Sequence, residues 1–261
     1  CGQCAAVCTT GAIMIKNDSH RLWKELNQED TIAVAQVAPA VRVAVAKEFG
    51  YNGENVMGKI VAALRRIGFN YIFDTSTAAD LTVMEESKEF ADRLANGGKL
   101  PLFTSCCPAW IKYAENEYPE ILPNISTCRS PMQMFASVIN EKFKGEGKKI
   151  LSVAVMPCTA KKGEAARDEF KDENGKPLVD FVITTQELIM MIKEAGIVFN
   201  EIEPEAVDMP FGTMTGAGVI FGVTGGVTEA VIRRVSTDKS LASLRNLAFE
   251  GVRGFEGIKE L

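Results

Sequence analysis

The chain has 261 residues, so it can bury a sizeable core and could form one large domain or two of medium size. It contains 29 Lys and Arg residues against 34 Asp and Glu residues, and this acidic balance argues against a nucleic-acid-binding protein. The longest apolar runs, residues 31–41 and 151–156, are too short to span a bilayer, and no signal-peptide pattern opens the chain, so we expect no membrane association and a cytoplasmic location.

The first predicted elements follow a short cysteine run. Residues 17–30 form a polar stretch around His20, which we interpret as a surface or packing residue. From Thr31 the pattern changes to apolar strands that alternate with amphipathic helices. We predict a strand at 32–37, a helix at 55–67, a strand at 71–74, and a long helix at 75–95 in which Leu81, Met84, Phe90 and Leu94 recur at helical spacing.

Two further strands are each predicted to end in a loop that contains cysteine. A strand at 100–104 precedes Cys106 and Cys107 and a helix at 108–116, and a strand at 150–155 precedes Cys158. Helices at 132–143, 185–195, 227–235 and 241–247 and a strand at 179–183 complete the pattern. The pattern predicts an α/β fold with two halves of largely parallel sheet flanked by helices, and with a cofactor in the crevice between them.

The cysteines indicate iron–sulfur chemistry, because thiolates are the usual protein ligands of such clusters. The spacing Cys1-x2-Cys4-x3-Cys8 matches the last three positions of the bacterial ferredoxin pattern, whereas a zinc site would need a second Cys or His pair nearby. We therefore predict that residues 1–25 are the end of a ferredoxin-type domain, a short remnant, and that residues 26–261 form the cofactor domain.

A first residue that is Cys inside a cysteine run suggests a piece of a longer chain. An odd total of seven cysteines argues against a closed disulfide framework.

Cys106 and Cys107 are adjacent, so only one of the two side chains would face a given cluster in an extended segment. One is then a ligand. The other could donate and accept protons, or it could be a small buried residue. Cys128 fits no metal-ligand spacing and is interpreted as a small buried residue.

Several charged residues near these cysteines have two interpretations. Glu86 and Glu89 lie three apart on the predicted long helix with Arg93 four further on, and the sequence alone favours a solvated face of ion pairs. Lys161, three residues after Cys158, could neutralise an anionic cofactor, whereas Lys162 is as well explained as a solvated lysine.

A glycine-rich segment at 212–226 lacks the spacing of a dinucleotide-binding or phosphate-binding loop. We interpret its glycines as positions where the backbone approaches a bulky cofactor closely.

Five segments in order make the chain resemble the iron-only (FeFe) hydrogenases over nearly its whole length. They are Phe-Asp-Thr at 73–75, Met-Glu-Glu at 84–86, Thr-Ser-Cys-Cys-Pro-Ala-Trp at 104–110, Met-Pro-Cys-Thr-Ala-Lys-Lys-Gly-Glu at 156–164, and the glycine-rich segment at 212–226. The resemblance implies reversible oxidation of dihydrogen to protons and electrons at an H-cluster. In that family the H-cluster is a four-iron four-sulfur cubane joined through a cysteine to a two-iron unit with carbonyl, cyanide and a dithiolate amine bridge.

The resemblance also implies roles for individual residues. Cys107 and Cys158 would be two of the four cubane ligands, and Cys106 would be the thiol that passes protons to the bridging amine. A proton relay to solvent would run through Glu86, Ser126 and Glu89 to Arg93. Lys161 would contact one cyanide, and the pocket of the two-iron unit would be lined by Met156, Pro39 and Phe211. The accessory clusters that bring electrons from ferredoxin or NAD-linked electron-transfer subunits would be held by Cys1, Cys4 and Cys8.

Two departures from the family pattern qualify this assignment. Many relatives have serine where Ala40 stands, so one hydrogen bond to the second cyanide would be missing. The third family signature, a glycine-rich segment with the last two cubane cysteines, does not occur before Leu261. We therefore expect the intact gene product to be active and this stretch alone to form no stable H-cluster.

Three alternatives remain at this point. A non-catalytic assembly factor of the same family would not need the Cys106-Cys107 pair or Lys161. A sensory hydrogenase usually has an altered proton-relay thiol, whereas Cys106 is present. A ferredoxin-like carrier would not need cysteine loops far from Cys8.

Overall fold

The computed structural model describes residues 1–223, 225–236, 240, 250–252 and 255–260. The α-helices in this part of the chain are α1 (Gln3–Ala6), α2 (Ser19–Leu26), α3 (Pro39–Glu48), α4 (Met57–Ile67), α5 (Ser76–Asn96), α6 (Pro108–Glu117), α7 (Pro131–Lys142), α8 (Ala160–Ala165), α9 (Thr185–Glu194), α10 (Gly216–Ile220) and α11 (Gly226–Val235). Short 3-10 helices span Pro119–Asn124 and Asp168–Phe170. The strands are β1 (Thr31–Val37), β2 (Tyr71–Asp74), β3 (Lys149–Met156), β4 (Phe181–Thr184), β5 (Glu250–Val252) and β6 (Phe255–Glu260).

The chain divides into two compact units. The first comprises residues 1–75 and 132–213, and the second comprises residues 76–131 and 214–261. Residues 1–25 belong to the first unit. The domain boundary proposed from the sequence at residue 25 therefore remains a prediction.

A four-stranded parallel sheet in the order β2-β1-β3-β4 forms the centre of the first unit. Residues 33–37 of β1 and 151–156 of β3 are buried, which explains why these strands are continuous apolar runs rather than alternating ones. Helices α3, α4 and α9 pack around the sheet, and their apolar faces include Val45, Ile60 and Leu188. The predicted α/β class, with parallel strands flanked by helices, is confirmed.

The strand register brings three loops to one edge of this sheet. Val37 at the end of β1 pairs with Asp74 at the end of β2 and with Val155 near the end of β3. Thr75 directly follows β2, and Pro39 and Cys158 lie two residues after the ends of β1 and β3. Because loops at the carboxyl ends of parallel strands hold the ligands of such sheets, the first unit presents its candidate site residues where the fold favours chemistry.

Most elements predicted from the sequence are present, with ends shifted by one or two residues. Helix α2 was missed, because its sequence is mostly polar and only one of its apolar residues, Leu22, is fully buried. Helix α3 was also missed, since the apolar run from Thr31 continues through Pro39, which starts the helix at a position that tolerates proline. The helix predicted at 241–247 lies outside the described residues.

The second unit is organised around the long helix α5, against which α10 and α11 pack. The helix was predicted correctly, but its apolar stripe is not its buried face. Leu81, Met84 and Leu94 are exposed, whereas the buried residues are mostly small or polar: Ser76, Ala78, Ala79, Thr82, Val83, Glu86 and Ser87. Small side chains on this face let α10 approach α5 closely. The strands β5 and β6 pair antiparallel in the same unit.

The strand predicted at 100–104 is wrong. Leu100–Pro101 is a cis peptide bond, and the segment forms one isolated bridge, in which the Phe103 N–H donates to the Asn124 carbonyl and the Ser126 N–H donates to the Phe103 carbonyl. Proline has no N–H to donate to a strand ladder, so Pro101 limits pairing at the start of the segment. Cys106 and Cys107 therefore follow an irregular segment rather than a strand.

The glycine-rich segment is used for packing between helices. A Cβ atom at Gly218 would lie 2.3 Å from the Ser76 carbonyl oxygen at the start of α5, and one at Gly226 would lie 1.8 Å from the Ile220 carbonyl oxygen. These two glycines are explained by close backbone approach within the second unit, not by approach to a cofactor.

Within the described residues, none of the helices combines the length and apolar character needed to cross a membrane.

Candidate active site

In the second unit, the adjacent cysteines lie at the start of α6. Cys107 has an extended backbone and directly precedes Pro108, the first helical residue, while Cys106 is half-buried and Cys107 is exposed. Cys107 lines a cavity of about 740 Å³ whose wall is mostly apolar and includes Phe90, Phe103 and Trp110. Cys106 lies outside that lining, which agrees with the prediction that neighbouring side chains diverge.

Among the described residues of the cavity wall, Glu86 is the one that is acidic, and it is almost fully buried, with 1% of its surface exposed. Its Oε1 atom has no hydrogen-bond partner. The pKa of Glu86 is raised to about 7, chiefly by burial; the Ser126 hydroxyl lowers it and the charge of Glu89 raises it, and both effects are smaller than that of burial. The interpretation of Glu86 as part of a solvated helix face is therefore wrong.

Glu89, one helical turn further along α5, is instead held as a carboxylate. Its Oε2 accepts a hydrogen bond from the Ser126 hydroxyl at 2.7 Å, and its Oε1 accepts one from Arg93 Nη2 at 2.6 Å. The Thr127 N–H donates to both oxygens. Burial opposes ionisation of Glu89, but these donors and the Arg93 charge outweigh it, so the pKa of Glu89 lies below its usual value.

Arg93 binds backbone groups as well as Glu89. Its side chain is 13% exposed, and its guanidinium donates to the carbonyl oxygens of four residues, Lys99, Pro123, Asn124 and Ile125. The four residues named for the proton relay, Glu86, Ser126, Glu89 and Arg93, thus form one cluster in the second unit. Their role in proton transfer stays a prediction.

Cys128 was missed by the sequence analysis. Its Sγ lies 3.7 Å from Glu89 Oε2, and its N–H donates to Ser126 Oγ at 3.2 Å. Burial raises the pKa of the Cys128 thiol to about 11, and the charges of Glu86 and Glu89 contribute. Its position two residues after Ser126 could have indicated that Cys128 belongs to the same cluster, since alternate residues of an extended segment share a face.

The cluster borders a surface groove. A cavity of about 440 Å³ is lined by Glu89, Arg93 and Cys128 together with exposed residues that include Lys88 and Asp92. Glu86 lines the apolar cavity and Glu89 lines the groove, so the two carboxylates lie at opposite ends of the cluster.

In the first unit, Pro39 is held by Arg42. The guanidinium Nε donates to the Pro39 carbonyl oxygen at 3.1 Å, and Nη2 lies 2.7 Å from Asp74 Oδ2. Asp74 is 1% exposed at the end of β2. Arg42 thereby ties the loops after β1 and β2 together and fixes the backbone beside Ala40.

Phe211 packs in an aromatic cluster of the first unit. Its ring centroid lies 5.4 Å from that of Phe73 and 5.5 Å from that of Phe135, both edge to face. Edge-to-face contact is a favoured geometry for aromatic rings, and it fixes the orientation of Phe211.

Three of the predicted site residues lie between the end of β3 and the start of α8. Met156 is buried at the strand end, Cys158 is half-buried, and Lys161 follows in the first turn of α8. The ammonium of Lys161 lies 2.6 Å from Glu164 Oε2, and both side chains are largely buried.

The run that contains Cys1, Cys4 and Cys8 spans the short helix α1 and the turn after it. Backbone N–H groups of Ile13 and Thr10 and the Thr10 side chain lower the pKa of Cys8 to about 7. Among the described residues, no three His, Cys, Asp or Glu side chains are grouped so that they could hold a metal ion. The seven cysteines, all within the described residues, form no disulfide.

The donor groups fit an iron–sulfur centre in part. Cys107 is exposed at a cavity and Cys158 is half-buried just past a strand end, and cysteine thiolates are the usual ligands of a four-iron cluster. Glu86 adds a buried carboxylate oxygen that lacks a partner. Each unit thus offers one cysteine of the kind that binds a cubane, and a cubane requires four thiolates.

Comparison with known proteins adds a family match. A model of the iron-only hydrogenase large subunit, C-terminal domain, matches residues 31–261. The solved structure of an apo FeFe hydrogenase from Chlamydomonas reinhardtii superposes with a TM-score of 0.77 at 37% identity, over 94% of this chain and 64% of that one.

Curated relatives fall into two groups. The NADP-reducing hydrogenase subunit HndD of Solidesulfovibrio fructosivorans is 45% identical over 100% of this chain and 46% of its own length. A periplasmic Fe hydrogenase large subunit of Nitratidesulfovibrio vulgaris is 43% identical over 91% of this chain and 58% of its own length. Cytosolic iron-sulfur assembly component 3 of Bos taurus is 35% identical over 80% of this chain and 48% of its own length. The chain thus spans about half the length of the relatives it matches.

Proposed function

Because the chain belongs to the iron-only hydrogenase large subunit, C-terminal domain, family, we propose that it takes part in the reversible oxidation of one dihydrogen molecule to two protons and two electrons. The proposed cofactor is an H-cluster, a four-iron four-sulfur cubane joined to a two-iron unit with carbonyl, cyanide and dithiolate amine ligands. When bound, this group supplies the metal chemistry that cleaves or forms the hydrogen–hydrogen bond, while the protein supplies binding, orientation and proton transfer.

Each unit contributes residues with separate tasks. Cys107 and Cys158 would bind the cubane, and Lys161, Met156, Pro39 and Phe211 would surround the two-iron unit. Arg42 would hold the Pro39 backbone in place, since it binds that carbonyl oxygen and the buried Asp74.

Protons would pass from Cys106 through Glu86, Ser126 and Glu89 to Arg93. A relay needs groups that exchange protons near the working pH, and a carboxyl with a pKa of about 7 meets that requirement. Glu89 is held ionised beside Arg93 and the surface groove, so a proton that leaves Glu86 moves toward a fixed negative charge and then toward solvent.

A single observation supports this function above others. Glu86 is a buried carboxyl with an unpartnered oxygen, in the wall of the cavity that Cys107 lines. An unpaired buried polar group costs free energy, and such groups cluster at functional sites. A protein that only carried electrons would have no use for it.

The second candidate function is that of a non-catalytic iron–sulfur assembly factor, and the observation that favours it is the identity to the Bos taurus assembly component. The presence of Cys106 together with the Glu86, Ser126, Glu89 and Arg93 cluster favours catalysis. A cluster carrier would need Cys107 and Cys158 but no path for protons.

The electron partner and the location belong to the same proposal. The Cys1, Cys4 and Cys8 run would hold an accessory cluster that exchanges electrons with ferredoxin or with NAD-linked subunits, and one relative is named as an NADP-reducing hydrogenase subunit. We propose a cytoplasmic location, although another relative is named periplasmic.

The test is Glu86→Gln in the holoenzyme of the intact gene product, with Glu117→Gln as the matched control. Glu117 is exposed at the end of α6 in the same unit and lines neither the cavity nor the groove, so its substitution makes the same chemical change away from the cluster. Exchange of D₂ with water protons should fall by about 10²-fold or more in Glu86→Gln, because a general acid–base group typically contributes that much, and it should persist in the control. A parent holoenzyme without any isotope exchange, or a Glu86→Gln variant that exchanges as fast as its control, would overturn the proposal.

A further inference from the structure

Lys162 lies four residues after Cys158 and is largely buried, with 12% of its side chain exposed, which contradicts its interpretation as a solvated lysine. Its Nζ lies 3.0 Å from Asp18 Oδ2 and 3.0 Å from Glu187 Oε1, and it donates to the Val182 carbonyl oxygen at 2.6 Å. Both carboxylates are also buried, each with 7% of its side chain exposed. We call Lys162, Asp18 and Glu187 the buried ion cluster.

The buried ion cluster joins three segments of the first unit. Lys162 lies in α8, directly after the Cys158 loop, Asp18 precedes α2 and follows the Cys1–Cys8 run by ten residues, and Glu187 lies in the first turn of α9. The Asp18 N–H also donates to Glu187 Oε1 at 2.7 Å. Glu187 is fixed in turn by a capping box with Thr184.

A second, independent contact joins the same two cysteine segments. Gly2, next to Cys1, has a φ of 91°, and a Cβ atom placed on it would lie 3.4 Å from Cγ2 of Thr159, next to Cys158. The backbone between Cys1 and Cys4 therefore lies against the loop of Cys158. The buried ion cluster is the charged link between these segments.

From this geometry we propose that Lys162 is a positioning residue for electron transfer: the buried ion cluster holds the Cys1–Cys8 run at a fixed separation from Cys158. The inference rests on the proposed function, since it assigns the run and Cys158 to clusters that exchange electrons. Cofactors must be held in a fixed geometry to exchange electrons efficiently, and residues that hold the supporting segments provide it.

A buried cation suits this task better than surface ion pairs. Asp18 also approaches Lys16 and Arg21, but those partners are 69% and 63% exposed, and such pairs contribute little. Burial opposes ionisation of Asp18, yet Lys162 and Lys16 outweigh it and hold the pKa of Asp18 below its usual value. Removal of Lys162 would leave two buried carboxylates side by side without their cation.

The test measures hydrogen–deuterium exchange along the chain by mass spectrometry. Asp18→Asn is the main variant, because it removes one charge of the link but leaves Lys162 paired with Glu187, so the fold keeps a compensated buried ion pair. Lys162→Met is the stronger variant. Lys193→Met is the matched control, since Lys193 lies on α9 and pairs with Glu48 at the surface, with 58% of its side chain exposed.

Amide exchange in residues 1–22 and 157–166 should rise by about tenfold in Asp18→Asn and more in Lys162→Met, with the central strands unchanged, because local opening is governed by local contacts. The control should match the parent. Exchange that rises uniformly through the first unit would reveal a merely structural role, and unchanged exchange in residues 1–22 would show that the link is not needed. Either result would overturn the inference.

A second measurement distinguishes an effect on electron transfer from an effect on dihydrogen cleavage. In the holoenzyme of Asp18→Asn, dihydrogen oxidation coupled to an external electron acceptor should fall several-fold, while D₂–water exchange, which needs no external acceptor, should persist. An equal loss of both rates would contradict the inference. Failure of the proposed function is distinct, because the parent itself would then lack isotope exchange.

Discussion

At the scale of single residues, two carboxyl groups three positions apart on one helix have pKa values shifted in opposite directions. Glu86 has an apolar wall around it, so burial dominates and its pKa rises to about 7. Glu89 is opposed by burial as well, but Ser126, Thr127 and Arg93 all stabilise its charged form, and its pKa falls. The environment, not the residue type, assigns the two carboxyls different tasks.

This difference predicts a direction for the pH dependence. Below pH 7 Glu86 is mostly protonated and can donate, and above pH 7 it is mostly ionised and can accept. Where proton transfer limits the rate, proton reduction should therefore decline as the pH rises through about 7, and dihydrogen oxidation should increase over the same interval. Rates measured from pH 5 to 9 check this. Parallel profiles for both directions would contradict it.

Cys128 offers a second test at this scale. With a pKa of about 11, its thiol should be almost wholly protonated at neutral pH. Because the thiolate is the nucleophile, alkylation of Cys128 by iodoacetamide should be about 10²-fold slower in the folded chain than in urea. Peptide mass spectrometry with timed quenching measures both rates. Equal rates would show that Cys128 is not buried beside Glu89 as described.

At the scale of elements, the second unit depends on close backbone approach between helices. Gly218 in α10 faces the Ser76 carbonyl at the start of α5. A side chain at this position cannot be accommodated by a flexible neighbour, because the contact atom is backbone. The buried face of α5 consists mostly of small residues because only these permit the close approach. The larger apolar residues of α5 therefore lie on its exposed face.

Gly218→Ala should destabilise the chain by about 1–3 kcal/mol, the usual range for overpacking. Gly216→Ala is the matched control in the same helix, because a Cβ atom there would meet nothing within 4 Å. Its stability should be unchanged or slightly higher, since alanine loses less entropy than glycine on folding. Urea denaturation of the three proteins gives the comparison. Equal losses in both variants would contradict the packing account.

At the scale of the whole molecule, the sequence predicted the central sheet well. Residues 33–37 and 151–156 are buried on both faces, so their strands appear as continuous apolar runs that are easy to recognise. The segment at 100–104 has a similar composition, but Pro101 and a single bridge replace the ladder. Apolar composition alone does not distinguish these two outcomes.

The candidate site was less predictable, because its energetics depend on distant partners. The motif spacing identified Cys107, Cys158 and Lys161 through resemblance to a family. The burial of Lys162 depends on Asp18 and Glu187, which lie 144 and 25 residues away. No local pattern in the sequence indicates such a pairing.

We propose that this chain takes part in hydrogen chemistry with Cys106 as the proton-transferring thiol. The most direct test is D₂–water exchange by the Cys106→Ala holoenzyme of the intact gene product at a verified iron content. We predict a loss of about 10²-fold or more with iron retained, because a general acid–base group would be removed while Cys107 and Cys158 remain. Undiminished exchange at full iron content would contradict the account.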